Sequence, residues 1–126
     1  MEINEINLET LLKCPNKENA NKESKLAIKL PTQTGQIASA GNYIFYGNTQ
    51  EISIVGIKKP DNNMMTLAQD FEKLQAIPSM KVSNYWNRLM VCSNKFHRYA
   101  VGTANISETN FRYCELDLKE IQKLMN

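Results

Sequence analysis

Cys92 and His97 stand five residues apart, and His97 is the only histidine in the chain. A thiol and an imidazole within hydrogen-bond reach can serve as nucleophile and base, provided that a third group orients the ring. The spacing permits such a contact across a turn but does not require it. A free cysteine can equally be a small buried apolar residue. Cys14, Cys92, Cys114 and His97 make a formal set of three cysteines and one histidine for zinc. Structural zinc sites normally contain a close cysteine pair, and this chain has none. No metal and no cofactor is therefore expected.

The carboxylates offer no catalytic pair. Asp70 and Glu72 point to different faces of the helix expected there. Glu115, Asp117 and Glu120 suit the start of a helix, where backbone N–H groups favour negative charge. No phosphate-binding loop is present, neither G-x-x-x-x-G-K-[ST] nor G-x-G-x-x-G. Segment 35–41 is small and flexible, and without a lysine or a following helix it reads as a turn or a kink in a strand.

The remaining chemistry is cationic and aromatic. Residues 73–107 contain no Asp or Glu. They carry Lys73, Lys81, Arg88, Lys95, His97 and Arg98, interleaved with Tyr85, Trp86, Phe96 and Tyr99. The three arginines of the protein, Arg88, Arg98 and Arg112, all lie in or just after this run. Rings stack on bases, and the guanidinium fork matches phosphate. Trp86, Arg88, Lys95, Arg98 and Arg112 are thus the candidate binding residues. A competing account makes the rings core residues and the cations solvated surface. Strand alternation would send about half of the rings inward.

Positioning these residues is the task of the surrounding elements. The chain has 126 residues, enough for one domain with a real core. Its net charge of +2 is too small for global steering, so electrostatics must act locally. The N-terminus lacks the basic and apolar regions of a secretory signal. No apolar run is long enough to span a membrane. Three widely spaced cysteines fit a reducing cytoplasm.

Apolar spacing predicts a short helix over 6–13, with Asn7 as its cap and Pro15 as its stop. Residues 1–14 form an appendage in this reading, 15–24 a polar linker and 25–126 a single domain. Leu26, Ile28 and Leu30 alternate as a strand. Segments 42–46 and 51–57 are rich in β-branched and aromatic residues and read as strands joined by a hairpin turn at 47–50. Met64, Leu67, Ala68, Phe71 and Leu74 follow helical spacing and predict a central helix, capped by Asp61, Asn62 or Asn63. Segments 85–92, 96–103 and 110–116 read as strands. A closing helix follows, capped by Asp117. The fold class expected is α+β: a mostly antiparallel sheet of about five to seven strands with one central helix and short terminal helices.

The function expected from these residues is that of a non-enzymatic binding or inhibitor protein. It would engage nucleic acid or a nucleoprotein enzyme through a basic, aromatic face, and an origin in a phage or mobile element belongs to that expectation. A protein partner or a homo-oligomer is compatible with it, and no membrane partner is expected. Two other classes stay open: an oligomeric binder of a small ligand or nucleotide, and a small enzyme using Cys92 or His97. Salt dependence separates the first from the second, because binding to a polyanion releases counterions.

Overall fold

Short apolar runs bounded by Asn, Gly and Pro dominate this sequence, and they fold as strands. The computed structural model describes residues 1–13 and 17–126. It is 48% strand and 18% helix. The chain divides into two compact units, Met1–Thr32 and Gln33–Asn126.

In the first unit, β1 (Glu2–Glu5) pairs antiparallel with β2 (Lys25–Lys29). Between them lie helices α1 (Leu8–Leu12) and α2 (Lys17–Glu23). Asn7 caps α1 as expected: its side chain accepts the Glu9 N–H at 2.8 Å. Helix α2 occupies most of the stretch expected to be a polar linker. Pro15 and Cys14 lie outside the described residues. Ile28 and Leu30 are buried, whereas Leu26, which the bulge in the β1–β2 register turns to the other side from Ile28, is 56% exposed.

The second unit holds two antiparallel sheets. The first runs in the order β3 (Thr34–Ala40), β4 (Tyr43–Asn48), β5 (Ser53–Lys58), β6 (Asn63–Gln69). The other runs in the order β7 (Ala76–Ser83), β8 (Arg88–Asn94), β9 (Phe111–Asp117). A short helix α3 (Phe96–Ala100) lies between β8 and β9, and α4 (Leu118–Met125) follows β9. Every strand in both sheets is hydrogen-bonded to its neighbour in sequence.

The sheets meet through a core of Phe45 and Ile54 from the first and Ile77, Met80, Leu89 and Val91 from the second, joined by Leu74, Leu118 and Ile121. Strands β4 and β5 are buried along almost their whole length, on both faces. Ile44, Tyr46, Val55 and Ile57 are buried on the face turned away from that core. Strand β3 lies against β7, and small residues permit the approach. A Cβ on Gly35 would come 3.2 Å from the Ile77 carbonyl oxygen, and one on Gly47 would come 3.2 Å from Ile77 Cδ1. The segment expected as a turn or kink, 35–41, is largely this small-residue strand, with Gly41 turning the chain at φ 54°.

The α+β expectation is overturned, because the protein is mostly antiparallel β-sheet in three sheets with four short helices. The central helix does not exist. Met64, Leu67 and Ala68 lie in β6, paired with β5 from Lys58↔Asn63 to Ser53↔Gln69, and Phe71 and Leu74 follow in the connection to β7. Asn62 does not cap a helix but turns a hairpin at φ 55°, a conformation that asparagine tolerates. Segment 96–103 holds helix α3 (Phe96–Ala100) and a turn where a strand was expected. The Asn94 side chain accepts the Phe96 N–H at 3.0 Å and turns the chain out of β8. The closing helix forms as expected, with the Asp117 carboxylate accepting the Lys119 N–H at 2.8 Å.

Candidate functional site

Each of the four candidate binding cations, Arg88, Lys95, Arg98 and Arg112, meets a carboxylate. Lys95 follows β8, and its side chain is 2% exposed. Its ammonium lies 2.7 Å from Glu108 Oε2, while the Arg98 guanidinium reaches Glu108 Oε1 at 2.6 Å. One carboxylate thus joins α3 to the loop before β9. The Lys95 hydrogen bond, aided by the charge of Lys95 and Arg98 and opposed by burial, holds the Glu108 carboxyl below its ordinary range. The same loop is pinned where Lys95 N–H donates to the Asn110 carbonyl and Asn110 Nδ2 donates to the carbonyls of Asn105 and Glu108.

Arg88 begins β8 and is directly opposite Asp117 on β9. Its guanidinium bonds the Asp117 carboxylate and lies 3.8 Å from Glu115. Burial pushes the Asp117 carboxyl up. Hydrogen bonds from the N–H groups of Lys119 and Glu120 and from Arg88 more than offset this, and the group is held below its ordinary value. Tyr113 donates to Glu115 at 2.6 Å, and that bond pushes its hydroxyl up, with burial adding to it.

Arg112 pairs with Glu72 at 3.5 Å. It stands opposite Ser93, so it lies on the other face of the sheet from Arg88. Trp86 sits in the turn of the β7–β8 hairpin, 62% exposed, beside Tyr85 at 92%. Their rings meet edge to face, with centroids 6.1 Å apart. The structure therefore brings Lys95 and Arg98 together through Glu108. It puts Arg88 in a second cluster, Arg112 in a third and Trp86 at a hairpin tip. The candidate cations are thus met in space by acids that flank the acid-free run in sequence.

Cys92 is exposed in the middle of β8, opposite Tyr113. His97 lies on α3, and no hydrogen bond joins the two residues. Cys114 stands opposite Val91 and faces the other side of the sheet from Cys92. Among the described residues, no group of three or more His, Cys, Asp or Glu side chains gathers as for a metal ion. No helix among them is long and apolar enough to cross a membrane.

A different concavity emerges along the unpaired side of β9. A groove of about 330 Å³ runs between β9 and β6, walled by Ile54, Ala68, Leu74, Cys114 and Leu116. Asp70, Lys73 and Glu115 stand at its rim. A second hollow of about 230 Å³ continues past Leu67 and Leu116 toward Glu120 and Leu124 of α4. Sequence reasoning missed this site because its walls come from β6, which was read as a helix. The available signal was β9 itself, which carries Phe111, Tyr113, Cys114 and Leu116 but neither lysine nor proline.

The two sheets of 33–126 are antiparallel meanders whose first strands, β3 and β7, lie side by side. The family model for the major royal jelly protein matches residues 4–125. The chain belongs to the major royal jelly protein family, which is of β-propeller type. No curated protein matches the chain. Family membership and the β architecture together overturn the expected engagement of nucleic acid or a nucleoprotein enzyme, and nothing supports it.

Proposed function

We propose that the chain is a ring-building segment of a β-propeller, whose work is to form and hold blades. The four-stranded sheet β3–β6 serves as one whole blade. The sheet β7–β9 supplies three strands of the next. The observation that carries this reading is the position of β7. The chain leaves the last strand of the first sheet and returns beside β3, the first strand of that sheet. That is the path by which one propeller blade hands over to the next around a central channel. The double burial of β4 and β5 supports it, because a blade within a ring is covered on both faces. The small residues of β3 suit strands that converge toward an axis.

A reducing compartment such as the cytoplasm belongs to the reading. Cys92 and Cys114 are free thiols on opposite faces of one sheet and cannot bridge to each other.

Native-state hydrogen exchange tests the blade reading. Two stacked blades open as one cooperative unit, so β4, β5 and β8 amides should share one opening free energy across a denaturant series. If the β7–β9 amides open at a much lower free energy than those of β3–β6, the blade reading is wrong.

A further inference from the structure

The two sheets of the second unit differ at one place. The first ends in β6, a fourth strand. The second stops at β9, and the chain then turns into α4. Strand β9 bonds β8 on one side only, so every second N–H and C=O of β9 points to an open edge. Natural proteins blunt such edges with charged residues, proline or bulges; β9 has no proline, and its charges, Arg112, Glu115 and Asp117, are ion-paired within the chain. The β5–β6 pairing has a bulge, whereas the β8–β9 register runs unbroken from Arg88↔Asp117 to Asn94↔Phe111. Beneath the open edge lies the groove walled by Leu116, Cys114 and Ala68. A strand added here would align its backbone with β9 and drop alternate side chains into the groove.

The groove also indicates what that strand carries. Its rim has Asp70, Glu115 and Glu120, with Lys73 as the one cation among the rim residues named. A complementary strand is apolar on the inner face and basic at its ends. Strand β2 reads Lys-Leu-Ala-Ile-Lys from Lys25 to Lys29. Among the described residues, it is paired with β1 on one side only. Lys25, Leu26 and Lys29 are exposed, and Leu26 leaves a large apolar side chain in solvent on a short strand.

We propose that the free edge of β9 takes β2 of a second copy of this chain as the fourth strand of its blade. The inference rests on the blade reading above. Leu26 enters the groove beside Leu116, and Lys25 and Lys29 meet the acidic rim. The contact is head to tail, since each copy gives β2 and receives at β9. Such contacts close into rings when the rotation permits.

Light scattering on the purified chain across a concentration series tests this directly. The expected mass rises with concentration from that of one chain to that of an assembly of two or more. Lys25→Glu/Lys29→Glu and Glu115→Lys/Glu120→Lys variants should each remain single chains, and mixing them in equal amounts should restore association. Leu26→Asp should weaken association at least tenfold without changing the circular dichroism melt. A wild-type chain that stays single at every concentration overturns the proposal, as does association that survives Leu26→Asp. If a variant fails to fold, wild-type hydrogen exchange decides. Amides of 111–117 must slow as concentration rises, and unchanged rates count against the contact. A cooperative two-sheet unit that never associates rejects this contact and leaves the blade reading standing.

Discussion

Glu108 is the residue on which the most local order depends, since two cations from different elements converge on its two oxygens. Its carboxyl is held below its ordinary value of 4.5, chiefly by the Lys95 hydrogen bond. The unfolded chain therefore takes up a proton at higher pH than the folded one. The stabilisation is complete above that ordinary value and is lost as pH falls through the lowered one. Glu108→Gln should accordingly lower the urea midpoint most near neutral pH. The gap from wild type should close as the solution is acidified below about pH 4.5. A gap that stays constant down to pH 3 would show that Glu108 acts by shape alone. Lys95→Met keeps the buried methylenes and removes the charge, so it should cost less than Glu108→Gln. The charge pattern was misleading in the sequence for a physical reason. Residues 73–107 lack acids, but Glu72 and Glu108 border that run, and Glu115 and Asp117 are brought back to it across a sheet.

At the scale of elements, β6 shows what can be read in one dimension and what cannot. Met64, Leu67, Ala68, Phe71 and Leu74 mimic a helical face. Strand β6 lies at a sheet edge, where Met64 and Met65 are exposed, and the bulge opposite Ile54 and Val55 breaks strict alternation. A pattern half in solvent and shifted in phase no longer has period two. Strands β4 and β5 were legible from their β-branched and aromatic residues, and β2 and β9 from their alternation. Helices α1 and α4 were legible from Asn7 and Asp117. Strand β7 was obscured by Pro78. The open groove was illegible, because its walls belong to strands that only pairing brings together.

Two stability measurements separate these elements. Phe71 is 65% exposed, so Phe71→Ala should change stability by no more than about 0.5 kcal/mol in urea unfolding. Leu89 is fully buried, and Leu89→Ala should cost about 2–5 kcal/mol. If the two costs were equal, β6 and its turn would have to pack differently. The close approach of the sheets gives a third test. Gly47→Ala pushes a methyl against Ile77 and should cost about 1–3 kcal/mol. Ile77→Val removes the nearest atom, Cδ1, so the double variant should recover at least about 0.5 kcal/mol relative to additivity. Strict additivity would mean that β4 and β7 do not touch there.

For the whole molecule, the pairing of every sheet strand in 33–126 with its sequence neighbour has a consequence for synthesis. Hairpin contacts close short loops and form early. The four-stranded sheet needs nothing beyond Gln69 to complete its hydrogen bonds. Its apolar face is another matter, because Phe45 and Ile54 share one core with Leu74, Ile77, Met80, Leu89 and Val91, all of which are made after Gln69. Between Gln69 and Val91, a growing chain carries a finished sheet with an uncovered greasy side. At ordinary translation rates of about 5–20 residues per second, that interval lasts roughly one to five seconds. A nascent chain stalled in that interval should recruit holding chaperones, and one released past Val91 should not. Codon choice between those two points would then govern the yield of folded protein more than codon choice elsewhere in the gene.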